Sequence, residues 1–185
     1  MNNSKIAKLD TLLDQYRQLG SAMYGGEAVT QLEHALQCAQ LSQSAGDSPA
    51  LVAACLLHDV GHLLAHISDK TSEDEDDHHE KLAMQHLEDL FGPEVTQPIL
   101  LHVNAKRYLC SVDDRYWGEL SPASQKSLEV QGGVYSAAEA LDFANLPFAK
   151  DAIKLRQYDD LAKDPHRSTP KLEDFKPMLE KLLIQ

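Results

Sequence analysis

The stretch Leu51-Val52-Ala53-Ala54-Cys55-Leu56-Leu57-His58-Asp59-Val60-Gly61-His62 decides how this chain is read. Seven apolar residues run without a turn signal into two ionisable ones. A run of that length suits a buried strand or a buried helix equally by periodicity, but its alanines, with Ser48 as an N-cap ahead of Pro49, favour a helix. A helix that is apolar all round belongs in the middle of a core. His58 and Asp59 end the run, and burying them is costly unless something compensates. A metal cation compensates, because imidazole and carboxylate are good donors to first-row metals. Neighbouring helical residues point ~100° apart, so the pair grips one ion from a distorted helix end, or reaches toward two with Asp59 shared.

Outward from this stretch the apolar residues keep helical spacing. Ile6, Leu9, Leu12, Leu13, Tyr16 and Leu19 mark a first helix that Gly20 can end, and Val29, Leu32, Leu36 and Ala39 a second that reaches Gly46. Further helical stretches are expected at about 79–91, 94–110 and 121–131, the last closed by Gly132-Gly133, and then at 149–163 and 172–183. Residues 68–77, polar and strongly acidic, have nothing to pack and are expected as a mobile surface loop beside the His-Asp pair. No alternating strand pattern, internal repeat or domain boundary interrupts the series. The expectation is an all-α fold, residues 1–185 forming a single domain.

Composition narrows the partners. Hydrophobic residues at 43% and charged ones at 25% are close to globular averages, which excludes a disordered or fibrous chain. Seventeen Lys and Arg against 29 Asp and Glu leave a net charge of −12, a field that repels nucleic acid and anionic membranes. Cys38, Cys55 and Cys110 are odd in number and sit in apolar or helical contexts, as free thiols do in a reducing compartment. With no apolar signal core near Met1 and no run approaching the ~20 residues of a membrane span, a cytoplasmic protein is expected.

Nine histidines are many for this chain, and their placement carries the chemistry. His34, His79 and His102 fall in helical context, separated from one another or from His58 by 24, 21 and 23 residues, one for each successive helix. Asp159 supplies an acidic partner late in the chain, on the stripe of Leu155 and Tyr158. A single helical histidine is most often a surface or hydrogen-bonded core residue; it is the ordered set that points to metal. His66, His78, His86 and His166 lie in polar surroundings and receive no role. No Cys-x-x-Cys spacing exists, so a thiolate zinc site is excluded and the cysteines read as small core fillers.

The order His34, His58-Asp59, His79, His102, Asp159 resembles the HD-domain superfamily, in its variant with two extra histidines that holds two metals. Met23-Tyr24-Gly25-Gly26-Glu27, Val103-Asn104-Ala105-Lys106-Arg107-Tyr108-Leu109, Leu120-Ser121-Pro122-Ala123-Ser124, Gln131-Gly132-Gly133 and Leu155-Arg156-Gln157-Tyr158-Asp159-Asp160 resemble, more narrowly, the HD-domain mixed-valence diiron oxygenases of phosphonate catabolism, relatives of myo-inositol oxygenase. The likeness runs from about residue 20 to 165. It implies an HD-domain helical bundle with two iron ions as cofactors. One iron is held by His34, His58, Asp59 and Asp159, the other by Asp59, His79 and His102; the choice of His79 over His78 rests on this likeness. It also implies an Fe(II)/Fe(III) pair with O2 as co-substrate and a small organophosphonate, 2-amino-1-hydroxyethylphosphonate, whose C–P bond is cleaved to give glycine and phosphate. Tyr24 is implied as a plug on an iron's open position until substrate arrives, and Glu27 as the partner of the substrate ammonium.

Spacing adds an anion-binding group. Lys106 lies four residues after His102 and Arg156 three before Asp159, so each cation shares a helix face with a candidate ligand. His62 lies four beyond His58, and Ser124 near a helix start. Arg suits phosphonate oxygens in bidentate fashion and Lys as a point charge. Two other functions compete: a metal-dependent HD phosphohydrolase acting on a phosphate ester through His34, His58-Asp59 and Asp159, and a non-catalytic metal-containing module that binds a small anion.

Overall fold

The structure is a computed structural model that describes residues 2–67 and 78–185; the acidic stretch 68–77 lies outside the described residues. Among the described residues there are eleven helices and two isolated β-bridges, Met23 with Thr30 and Phe91 with Leu183. In chain order the helices are α1 (Asn2–Leu19), α2 (Gln31–Ser44), α3 (Pro49–Leu57), α4 (Val60–Ile67), α5 (His79–Leu87), α6 (Pro93–Val112), α7 (Tyr116–Glu119), α8 (Pro122–Val130), α9 (Ala137–Ala144), α10 (Ala149–Leu161) and α11 (Leu172–Leu182). The all-α expectation is met. No described helix is long and apolar enough to cross a membrane.

α3 is the centre of the bundle. Every residue from Ala50 to Leu57 is buried, and the helix packs against α2, α6, α10 and α11. It starts as the sequence reading expects, with Pro49 in its first turn and Ser48 Oγ accepting from Leu51 N at 3.2 Å. Leu56 and Leu57 are wholly enclosed, each contributing about 1.5–3 kcal/mol by leaving water. At its far end the helix stops inside the core, where carbonyls left unpaired would be expensive. Side chains take them: the Tyr16 hydroxyl, from α1, donates to Leu56 O at 2.8 Å, and His58 Nδ1 to Cys55 O at 2.9 Å.

The chain then turns through His58 and Asp59 into α4, which the sequence reading does not anticipate as a separate helix. Gly61 lets α4 lie close against α5: a Cβ there would lie 2.0 Å from the carbonyl oxygen of His79, the first residue of α5. α9 is a second unanticipated helix, opened by a capping box between Ser136 and Glu139, and the four-residue α7 a third. α10 ends at Leu161, short of the 163 expected. Ala162 leaves the helical region at ψ 44, with Pro165 close behind to bar continuation. Cys38 and Cys55 are core fillers as read, while Cys110 is only half-buried; all three thiols are free.

Candidate metal centre

Six side chains from the ends or faces of five helices meet where α3 stops. His34 stands in the first turn of α2, fixed by the Thr30–Glu33 capping box; His58 and Asp59 close α3; His79 opens α5; His102 lies midway along α6; Asp159 lies in the last turn of α10. All six are buried. Two groups of three, His34 with His58 and Asp59, and Asp59 with His79 and His102, each hold their donor atoms within 4.8 Å of one another. Asp59 belongs to both. Its Oδ2 lies 3.2 Å from His58 Nε2 and 3.7 Å from His34 Nε2, its Oδ1 3.5 Å from His79 Nε2 and 3.7 Å from His102 Nε2. Asp159 faces the first group, 3.3 Å from His34 Nε2 and 3.9 Å from His58 Nε2. Of the adjacent pair His78-His79, His79 is the buried member and His78 is half exposed.

Backbone carbonyls set the rings. A carbonyl only accepts, so His34 Nδ1 donates to Ala162 O at 2.9 Å, His58 Nδ1 to Cys55 O at 2.9 Å and His102 Nδ1 to Ile99 O at 2.6 Å. A neutral imidazole so committed turns a bare lone pair inward at Nε2. The Nε2 atoms of His34 and His58 are 3.3 Å apart, those of His79 and His102 3.1 Å apart. Asp59 Oδ2, buried beside them, has no hydrogen-bond donor. The facing Nε2 atoms of His34 and His58 beside an orphaned carboxylate oxygen suit a cation, and nitrogen and oxygen donors without thiolate fit iron, manganese or zinc. Burial opposes charge on His58, but Asp59 and Asp159 outweigh it and push its pKa up to about 9. Asp59 is held well below the usual carboxylate range despite its burial, chiefly by His58, and Asp159 likewise by Arg156.

Around these donors lie the other sequence-predicted residues. The Tyr24 ring stacks on His34, centroids 3.8 Å apart and planes 11° apart, and its hydroxyl donates to Asp159 Oδ1 at 3.5 Å. Burial, then Asp159, push its phenol well above the ordinary value, which favours the neutral hydroxyl. His62 stacks on His79 at 4.0 Å and lies 4.0 Å from Asp59 Oδ1. Because α3 breaks after Leu57, His62 does not stand one turn above His58; it sits in the first turn of α4, on the His79 side. Arg156 is buried, with Nη1 2.7 Å from Asp159 Oδ2, Nη2 on Asp160 and 3.3 Å from Ser124 Oγ. Lys106 is buried too and donates to Ser127 Oγ at 2.6 Å; its burial, then the charge of Arg156, push it down to about 7. Glu27 sits at the turn after Tyr24, where Glu27 N donates to Tyr24 O at 2.6 Å.

Residues 32–132 match the family model described as HD domain, a span that carries His34, His58, Asp59, His79 and His102. The chain belongs to the HD-domain family. This HD-domain protein is 42% identical over 178 residues to the hydroxymethylphosphonate dioxygenase of Gimesia maris, a match covering 95% of this chain and 88% of that protein. It is 36% identical over 165 residues to the 1-hydroxy-2-(trimethylamino)ethylphosphonate dioxygenase (glycine-betaine-forming) of Leisingera caerulea, covering 89% and 84%.

Sequence reasoning missed several residues of the HD-domain site. Ser127, under Lys106, stands three positions after Ser124 on α8, a spacing that could have signalled it. Asp160 and Tyr116 hold Arg156 from the far side. Lys163 is the most consequential: its Nζ lies 3.0 Å from Glu27 Oε1 and 3.2 Å from the hydroxyls of Ser121 and Ser124. It was expected at a helix end, and it stands in the loop beyond α10, where no periodic pattern assigns it a face. The Gly132-Gly133 turn is structural: both carbonyls accept from Arg107, and a Cβ on Gly132, at φ 97, would meet that guanidinium at 3.2 Å.

Proposed function

We propose that this HD-domain protein is a diiron dioxygenase that uses O2 to cleave the C–P bond of a 1-hydroxyalkylphosphonate. The observation that carries this reading is Asp59, whose two oxygens each face a separate pair of imidazole nitrogens. His34, His58, Asp59 and Asp159 would hold one iron, and Asp59, His79 and His102 the other. Irons held there, in the Fe(II)/Fe(III) state, supply the redox chemistry with O2. Both dioxygenases named above act on phosphonates with a hydroxyl on the carbon that bears phosphorus, which supports that substrate class.

The chain's own groups have defined tasks in this reading. Arg156, Lys106, Ser124 and His62 receive the phosphonate oxygens, Arg156 as a planar fork already fixed by Asp159 and Asp160. Tyr24 covers the His34 face and keeps water from it until substrate enters. Were the substrate 2-amino-1-hydroxyethylphosphonate, going to glycine and phosphate, Glu27 would be the carboxylate that meets its ammonium. The competing phosphohydrolase reading is the weaker one, since the relatives' activities are oxidative.

Metal analysis with Mössbauer spectroscopy, followed by parallel O2-uptake and phosphate assays with 2-amino-1-hydroxyethylphosphonate and hydroxymethylphosphonate, tests the proposal. Two irons per chain and phosphate release matched to O2 consumed are expected. A single zinc per chain, or phosphate released from an ester equally well under argon, would sink it.

A further inference from the structure

Four contacts fix the ammonium of Lys163. It lies 3.0 Å from Glu27 Oε1, donates at 3.2 Å to Ser121 Oγ and to Ser124 Oγ, and stands over the Tyr24 ring, 5.9 Å from its centroid. Both charged side chains are largely enclosed, 13% exposed for Lys163 and 15% for Glu27. Ser124 Oγ also receives Arg156 Nη2 at 3.3 Å. Lys163 therefore links the carboxylate available to a substrate ammonium with the hydroxyl that borders the buried guanidinium.

That position decides what Glu27 can do. A substrate ammonium would approach a carboxylate that is already neutralised, so it must either displace Lys163 or sit beside a like charge where water screens poorly. A phosphonate without a cationic group leaves the Glu27–Lys163 pair whole and brings its negative charge to Arg156 and Lys106. Resting on the dioxygenase reading above, we infer that Lys163 is a specificity-determining residue. As the built-in counter-ion of Glu27, it directs the site to 1-hydroxyalkylphosphonates that carry no amine, hydroxymethylphosphonate being the smallest.

The test compares hydroxymethylphosphonate with 2-amino-1-hydroxyethylphosphonate on the iron-loaded protein, by calorimetric binding under argon and by O2 uptake in air. The wild type is expected to bind the amine-free compound at least about tenfold more tightly, the discrimination that an exchange of partners at an enclosed carboxylate can supply. Lys163→Met is expected to shift the ratio toward the amine by about tenfold or more, and Lys163→Arg, which keeps the charge, to retain the wild-type preference. A wild type that prefers the amine, or a ratio unchanged in a Lys163→Met protein with wild-type circular dichroism, overturns the inference. O2 uptake with neither compound overturns the dioxygenase reading instead, while the binding ratio still decides the role of Lys163.

Discussion

Tyr24 lies flat on His34, ring centroids 3.8 Å apart and planes 11° apart, and its hydroxyl reaches Asp159 Oδ1 at 3.5 Å. One tyrosine in a turn thus touches two candidate ligands through two different parts of its side chain. Tyr24→Phe keeps the stacking and removes only the hydroxyl. The expected outcome is an altered visible absorption spectrum and faster autoxidation of the iron-loaded resting protein, with a melting temperature close to wild type. An unchanged spectrum and autoxidation rate would leave Tyr24 a packing residue.

Asp59 belongs to both candidate groups, so in the two-metal proposal its loss is non-additive. Asp59→Asn is expected to empty both positions, whereas His102→Gln, which touches only the second group, leaves about one metal per chain. Metal analysis of the purified variants reads the difference directly. Equal losses in the two variants would contradict a carboxylate that serves both groups.

Gly61 is the contact point of α4 with the start of α5. Its missing Cβ would lie 2.0 Å from the His79 carbonyl oxygen, so Gly61→Ala must shift α4 or the start of α5, which carries His79. The expected cost is about 1–3 kcal/mol of stability from overpacking, together with selective loss of the metal that His79 would hold. Thermal melting checks the first and metal analysis the second.

Lys106 gives a pH dependence of known sign. Its burial, with Arg156 nearby, lowers the folded-state pKa to about 7 from the ordinary lysine value of 10.5. Between those values the unfolded chain holds a proton that the folded one has released, so this group makes folding more favourable as pH rises from about 7 toward 10.5. A phosphonate dianion beside Lys106 favours the charged form. Binding of hydroxymethylphosphonate at pH 8 is therefore expected to take up protons and at pH 6 to take up almost none, read by calorimetry in buffers of different ionisation enthalpy. Lys106→Met, which keeps the stem and removes the charge, is expected to abolish that uptake.

The helices and the donors were legible from the sequence because each carries a local signal. Apolar spacing of three and four marks α1, α2, α6, α10 and α11, and caps such as Ser48-Pro49 and Ser121-Pro122 mark where helices start. The His-Asp pair after seven apolar residues announced a buried polar end, and the near-equal spacing of the other histidines announced one donor per helix. α9 was missed although its Ser136–Glu139 capping box was there to be read, and α7 because four residues are too few to show a period.

By itself, then, the amino-acid order determined an all-helical bundle and the set of imidazoles and carboxylates it brings inward, since periodicity and burial cost act along the chain. Tertiary structure decided which oxygen of Asp59 faces which histidines, which carbonyls turn the rings, and that Lys163 neutralises Glu27. Those outcomes depend on contacts between residues such as 27 and 163 or 34 and 162. Contacts that far apart in the chain are set by how helices dock against one another, which leaves no periodic pattern along the sequence.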